Sequence, residues 1–369
     1  MADLAIALVL GTRPEIIKLA PVIRACERED IDHFLLHTGQ HYSESLDRVF
    51  FEQLNLPTPE YNLDIGSGSH GRQTAGMISG IESILEDERP DVVLVQGDTN
   101  TVLAGTIAAD KLPTRLGHVE AGLRSFDREM PEESNRRVAD HLSDYLFAPT
   151  ERSANLLAEE GIDDERVFVT GNTVVDAVEQ NRTLAVEKST ALADFGLEPG
   201  NFVLLTAHRQ ETVDAPERFA SVLRGADAVA SSLSCPVVYP IHPRSRERLA
   251  EFDIDVPETV RLLEPREYLD FLKLESEATL VLTDSGGVQE EACILGTPCV
   301  TLRDSTERPE TIQVGANRLV GTDPDEIRRG SRIMIETATE WDNPFGNGST
   351  GESIVSILRS NGAVRGETG

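Results

Sequence analysis

The chain has 369 residues, with 34 Lys and Arg against 64 Asp and Glu, and a formal net charge of −30. A length of this order suits two domains better than one. At 39% hydrophobic residues it can fill two cores, which excludes a disordered acidic chain, and a field of this sign repels phosphate backbones, which disfavours nucleic acid as a partner.

Four of the basic residues are Lys (Lys18, Lys111, Lys188, Lys273) and 30 are Arg. Abundant carboxylate with almost no Lys resembles proteins from salt-accumulating halophiles, whose self-repulsion is screened over ~3 Å at 1 M salt. The expected consequence is unfolding as salt is dialysed away, followed by circular dichroism. Cys26, Cys235, Cys293 and Cys299 form no C-x-x-C pair and no zinc spacing, so a reduced, cytoplasmic protein is expected. The start, Met1-Ala2-Asp3, lacks a basic region, and the apolar run 4–10 is too short for a signal peptide or a span. No membrane partner is expected.

In chain order, residues 4–10 read as a buried strand, followed by a Gly11-containing turn and a helix with Pro14 near its start. Strands then follow at 33–37, 91–95, 114–119, 145–148 and 167–170, with helical segments between several of them. The stretch 184–200 is polar and Ala-rich and ends in Pro199-Gly200. A second series has strands at 201–206, 235–241, 260–263, 280–282 and 297–301, and an amphipathic helix carries Ile354, Val355 and Leu358. Apolar strands alternating with helices predict parallel sheets covered on both faces. The expectation is an α/β protein of two Rossmann-like, doubly wound domains. They span 1–170, joined by a C-terminal helix at 352–369, and 171–351.

Ligands of such sheets sit beyond the carboxyl ends of the strands. The residues just after predicted strand ends are Arg13, Glu15, Lys18, Gln40, His41, Asp98, Glu120 and Arg124 in the first half. In the second half they are His208, Arg209, His242, Arg244, Asp284, Ser285 and Arg308. Ser285-Gly286-Gly287 after a strand, opening a helix, suits close approach of an anion to backbone N–H groups. Asp98 and Glu120 directly follow apolar strands and Glu132 opens a helix. Such a carboxylate cluster can divide acid and base roles. Residues 66–71 match G-x-G-x-x-G, but no clear strand precedes them, so a loop is preferred to a dinucleotide site. His33, His37 and His41 do not share a face, so no metal site is expected there.

Several blocks together resemble the non-hydrolysing UDP-N-acetylglucosamine 2-epimerases. They include Gly11-Thr12-Arg13-Pro14-Glu15, Gln96-Gly97-Asp98-Thr99, Gly117-His118-Val119-Glu120-Ala121-Gly122-Leu123-Arg124 and Pro131-Glu132-Glu133-Ser134-Asn135-Arg136. Further on come Thr206-Ala207-His208-Arg209, Asp284-Ser285-Gly286-Gly287 and Arg303-Asp304-Ser305-Thr306-Glu307-Arg308. The resemblance implies a GT-B-like fold with a site between the domains. It implies interconversion of UDP-GlcNAc and UDP-ManNAc through a 2-acetamidoglucal, with no metal and no nicotinamide cofactor. It assigns catalysis to Asp98, Glu120, Glu132 and His208. Substrate binding would fall to Arg13, Lys18, Arg266, Phe271, Ser285, Gly286, Gly287, Glu291 and Arg308. Arg266 stands where some members have Gln. Gln40, His41, Arg72, Arg209 and His242 match a second, activating UDP-GlcNAc site, although Ser43 replaces a longer polar residue. The resemblance also implies a homodimer. The competing readings are a 2-epimerase of a modified UDP-sugar, such as a diacetamido uronic acid, and a GT-B glycosyltransferase.

Overall fold

The computed structural model describes residues 4–39, 44–66, 68–128, 130–336 and 340–362. Gln40, His41 and Ser43, and the tail beyond residue 362, lie outside the described residues. The chain divides into two compact units, Met1–Glu179 with Phe345–Gly369, and Gln180–Pro344.

The first unit runs β1 (Ala5–Leu10), α1 (Arg13–Arg28), β2 (Asp32–His37), α2 (Glu44–Gln53), β3 (Tyr61–Asn62), α3 (His70–Glu88) and β4 (Val92–Gln96). It continues through α4 (Asn100–Asp110), β5 (Arg115–Val119), α5 (Pro131–Leu142), β6 (Tyr145–Ala148), α6 (Glu151–Glu159), β7 (Val167–Val169) and α7 (Thr173–Lys188). Seven parallel strands form one sheet in the order β3-β2-β1-β4-β5-β6-β7. β1 and all of β4 but its last residue are apolar because helices cover both faces. On one face Ala7, Val9, Val93 and Val95 pack against Met77 and Ile81 of α3 and Val102 and Ala108 of α4. Full burial of each larger side chain is worth about 1.5–3 kcal/mol.

The second unit runs α8 (Ala191–Phe195), β8 (Val203–Thr206), α9 (Gln210–Val213), α10 (Pro216–Leu233), β9 (Val237–Pro240), α11 (Pro243–Glu251) and β10 (Val260–Leu263). Then come α12 (Tyr268–Glu277), β11 (Leu280–Thr283), α13 (Gly286–Leu295), β12 (Cys299–Thr301), α14 (Pro309–Gln313), β13 (Asn317–Leu319) and α15 (Pro324–Glu336). Its parallel sheet has the order β10-β9-β8-β11-β12-β13. Phe219, Val222 and Val229 of α10 and Ile327 and Met334 of α15 share one core with Val203, Leu205, Leu280 and Leu282. The last helix, α16 (Thr350–Gly362), belongs to the first unit and packs on α1.

The changeover between units lies inside α7, the helix that follows Gly171, after Glu179, and the return lies at Phe345. The first turns of α7 are tied to the returning segment. Asn172 N–H donates to the Phe345 carbonyl at 2.8 Å, and Gly351 N–H donates to Asp176 Oδ1 at 2.9 Å. The stretch 184–200 contains the end of α7 and all of α8, whose Leu192 and Phe195 pack on a core. Here tertiary packing extends helix into a polar, Ala-rich stretch. A strand does precede 66–71. It is β3, a two-residue edge strand paired only with β2, which explains its half-polar pattern. Strand β13, absent from the sequence reading, is three residues long and only partly apolar.

Strand order reverses between β1 and β4 in the first unit and between β8 and β11 in the second. The loops at these two switch points, beyond the strand ends, are where open α/β sheets hold ligands. Gly122 supports the first. Its φ is +80°, and a Cβ there would lie 2.4 Å from the Ser153 carbonyl oxygen, which is backbone and cannot swing away. Gly122→Ala is therefore expected to destabilise the unit by about 1–3 kcal/mol, read by chemical denaturation in high salt. Among the described residues no helix is long and apolar enough to cross a membrane.

Candidate active site

At the first switch point, Glu15 closes the start of α1. Its carboxylate accepts the Gly11 and Thr12 N–H groups at 2.8 and 2.7 Å, the Thr12 hydroxyl at 2.9 Å and the Thr99 hydroxyl at 2.5 Å. Burial pushes its pKa up to about 7, against the pull of those donors. This bond set joins the turn after β1 to the turn after β4.

Glu120 directly follows β5 with φ +71°, a left-handed conformation costly for a non-glycine residue. Glu120 N–H and Ala121 N–H both donate to the Phe147 carbonyl at 3.1 Å, which holds the turn. The Glu120 carboxylate is buried and surrounded by donors: Lys18 Nζ at 2.7 and 2.8 Å, the Gln96 amide, and the Asn172 amide at 3.4 Å. Such a donor set fixes the orientation of the carboxylate. Asp98, half-exposed after β4, receives Arg136 at 2.5 Å, and the Asn135 amide donates to its backbone carbonyl at 2.9 Å. Glu132 is half-buried in the first turn of α5. Its neighbour Glu133 instead turns back to Ser125, accepting the N–H and hydroxyl at 2.9 Å each, and pairs with Arg136 and Arg137. Burial would raise Glu133, but these donors and cations hold it below the ordinary carboxylate range. Arg13 lies over the Phe50 ring at 5.4 Å.

Beneath this edge lies a buried charged group. His118 Nδ1 faces Asp140 Oδ1 at 2.7 Å and its Nε2 faces the Gly97 carbonyl at 2.8 Å. Arg124 reaches Asp140 at 2.7 Å and both Glu160 oxygens at 2.9 and 2.7 Å.

At the second switch point, fully buried Asp284 accepts the His208 N–H at 3.0 Å and the Arg209 N–H at 3.0 Å, and faces His208 Nδ1 at 3.3 Å. The His208 ring is half-exposed. Burial, with Arg209 and His242 nearby, lowers its pKa despite Asp284. Ser285 caps α13, and nothing lies within 4 Å of a Cβ placed on Gly287, so the helix start is open there. Arg308 pairs with Glu290 at 2.8 Å. Glu307 bridges Arg209 at 3.0 Å and Arg303 at 2.8 Å. Burial would raise Glu307, but Arg303 and Arg209 hold it at about 2.

Glu291 is half-buried on α13. Fully buried Glu275 of α12 is pushed well above the carboxylate range by burial and by Glu291. Arg266 lies 4.0 Å from the centre of the Phe195 ring and faces Asp194 at 3.5 Å and Asp270 at 3.6 Å. Phe271 packs half-buried on the adjoining core.

The structure thus gathers Arg13, Lys18, Asp98, Glu120 and Glu132 at one sheet edge, and His208, Arg209, His242, Ser285, Gly286 and Gly287 at the other. Of the matches to a second nucleotide-sugar site, Arg72 is exposed on α3, and His242 caps α11 by accepting the Arg244 N–H at 3.2 Å. Gln40 and His41 lie outside the described residues. Sequence reasoning missed Gln96, Asn172 and Arg136, which hold the acids, and Glu275. Gln96 and Asn172 adjoin glycine turns after strands, a signal that could have found them, whereas Glu275 sits mid-helix and carries none. Among the described residues no group of three or more His, Cys, Asp or Glu could hold a metal ion.

Each unit is a doubly wound, Rossmann-like sheet, and two of them with a chain end returning to the first is the GT-B plan. Residues 24–359 match the family described as UDP-N-acetylglucosamine 2-epimerase, and the chain belongs to that family. It is 53% identical over 359 residues to the UDP-N-acetylglucosamine 2-epimerase of Methanocaldococcus jannaschii, covering 96% of this chain and 98% of that one. It is 50% identical over 360 residues to the enzyme of that name from Methanococcus maripaludis, covering 96% and 98%. The crystal structure of the Methanocaldococcus jannaschii enzyme in complex with UDP-GlcNAc and UDP matches with a TM-score of 0.86, 52% identity, and coverage of 97% and 100%.

Proposed function

We propose that the chain interconverts UDP-GlcNAc and UDP-ManNAc by eliminating and re-adding UDP. The C1–O bond to UDP breaks with its electron pair leaving on UDP, so that positive charge develops at C1. The C2–H electron pair then forms the C1=C2 bond as the C2 proton passes to a carboxylate, giving 2-acetamidoglucal. UDP then returns to C1 while a proton is delivered to the other face of C2. The sequence is redox-neutral.

The observation that carries this reading is the pair of carboxylates on adjacent strand ends, Asp98 held by Arg136 and Glu120 held by Lys18, Gln96 and Asn172. It occurs in a chain that matches enzymes of this name over nearly its whole length. Asp98, Glu120 and Glu132 share the proton transfers at the two faces of C2 and the stabilisation of positive charge at C1. His208, the Ser285-Gly286-Gly287 helix start and Arg308 hold the diphosphate. Glu291 accepts the ribose hydroxyls, Phe271 and Arg266 flank the uracil, and Arg13 and Lys18 contact phosphate and sugar. On the resemblance alone, the chain acts as a homodimer, and Arg72, Arg209 and His242 contribute to an activating second UDP-GlcNAc site.

Incubation with UDP-GlcNAc in high-salt D2O tests the reading. UDP-ManNAc carrying deuterium at C2 is the expected product. Free ManNAc with UDP, or no turnover until an acceptor sugar is added, would overturn it.

A further inference from the structure

His118 contributes nothing to substrate in the reading above, yet it is wholly buried directly beneath both acids. Its Nε2 meets the carbonyl of Gly97, which can only accept a hydrogen bond. Its Nδ1 meets Asp140 at 2.7 Å. Asp140 in turn receives Arg124 at 2.7 Å and the Gly122 N–H at 3.3 Å, the surroundings of an ionised carboxylate. Acceptors therefore stand at both ring nitrogens. A neutral imidazole has one N–H and would leave one buried contact as lone pair against lone pair.

We propose that His118 is a positioning residue whose imidazolium, gripped between the Asp140 carboxylate and the Gly97 carbonyl, fixes the two strand ends that carry Asp98 and Glu120.

The bonds make this specific. Gly97, with φ +83°, is the turn residue immediately before Asp98, and His118 lies two residues before Glu120. One ring thus ties the end of β4 to the end of β5, while Asp140 ties both to α5 and to the Gly122 turn. The charged groups facing this ring are Asp140 from α5 and Glu120 from the end of its own strand. Arg124 and Glu160 lie behind Asp140, and Lys18 lies behind Glu120. Fully buried Asp140 is met by both Arg124 and His118, while the partly exposed Glu160 beyond it pairs with Arg124 and Arg137. Burial alone would discharge the ring, but Asp140, the Gly97 carbonyl and Glu120 outweigh it and raise its pKa.

The inference rests on Asp98 and Glu120 being the reacting acids, but its test has one arm that does not. In protein labelled with 15N-histidine, held in high salt at pH 8, free imidazole is neutral. There the His118 ring, assigned through its own backbone, is expected to show two slowly exchanging N–H protons. A single N–H would overturn the proposal, whatever the activity. In the second arm, His118→Gln offers a donor to Gly97 or to Asp140 but not to both. Because misplacement of reacting groups by about 1 Å costs on the order of 100-fold, kcat and C2 deuterium exchange should fall about 100-fold together. Affinity for UDP should stay within about twofold of the parent. A kcat within threefold of the parent would overturn the proposal. Failure of the parent protein to turn over UDP-GlcNAc would count against the assigned reaction and leave the ring-proton result standing.

Discussion

Glu120→Gln is expected to lower turnover by on the order of 1,000-fold, within the range that a positioned acid or base contributes. C2 deuterium incorporation should fall in step and UDP binding should persist. The substitution keeps the length and shape of the side chain and its place at the end of β5, so the backbone turn held by Phe147 has no reason to change. Two things are lost. The amide cannot accept the C2 proton, and the Lys18 ammonium, only 16% exposed, loses the anion it pairs with at 2.7 Å. The second loss can be separated from the first with Glu120→Asp. That variant keeps the charge, shortens the reach by one methylene, and should recover part of the rate. Asp98→Asn should behave likewise, since Asp98 faces Arg136 from the neighbouring strand end. UDP affinity, measured by calorimetry, reports on ligands proposed in the second unit and should be retained in both variants. Full activity in either would remove that residue from the mechanism.

The strongly acidic composition bears on how such a site works. Its cations are not bare. Lys18 faces Glu120, Arg136 faces Asp98, Arg209 faces Glu307, Arg308 faces Glu290, and Arg266 faces Asp194 and Asp270. Each is oriented beforehand by a carboxylate of the chain itself. A nucleotide sugar entering a field of −30 must therefore share or displace these internal anions. That reduces the dependence of binding on long-range attraction, which salt would screen in any case.

Much of this was legible from residue order. Apolar runs ending in glycine turns located most of the strands, and the polar residues after them marked both switch points, because a parallel sheet displays its loops there. The short edge strands and α8 were not legible. β3 and β13 are too short and too mixed for a period to show, and α8 is recognisable as helix only once Leu192 and Phe195 have a core to pack on. The exact point along α7 where one unit passes to the other depends on long-range bonds from Asn172 and Asp176 to residues 345 and 351, which residue order does not display. In the candidate site, the carboxylates after the strand ends could be read and the residues that hold them could not. Asp140 and Glu275 sit inside helices whose patterns give no reason for a carboxylate to be buried, and only the fold reveals what each one faces.

Asp140 carries the second large effect. Asp140→Ala should destabilise the first unit by about 3–5 kcal/mol, the usual loss when one member of a buried ionic group is removed. Arg124 and His118 would then face each other without the anion between them, and the Gly122 N–H would lose its acceptor. The pH dependence separates this from a simple packing defect. Burial would raise the Asp140 pKa, but His118 and Arg124 outweigh it and hold it below its ordinary value. Its contribution is thus present above the unfolded pKa of about 3.9 and is lost as pH falls through the lower folded value. His118 runs the other way. Its folded pKa is raised, so its contribution is complete below about 6.5 and is lost as pH rises through the folded value. Denaturant unfolding in high salt across this range should show both limbs in the parent protein. In Asp140→Ala the acid limb should flatten, and the alkaline limb should move to lower pH, because His118 no longer has the carboxylate that keeps it charged. A uniform loss of stability with both limbs unmoved would mean that Asp140 only fills space.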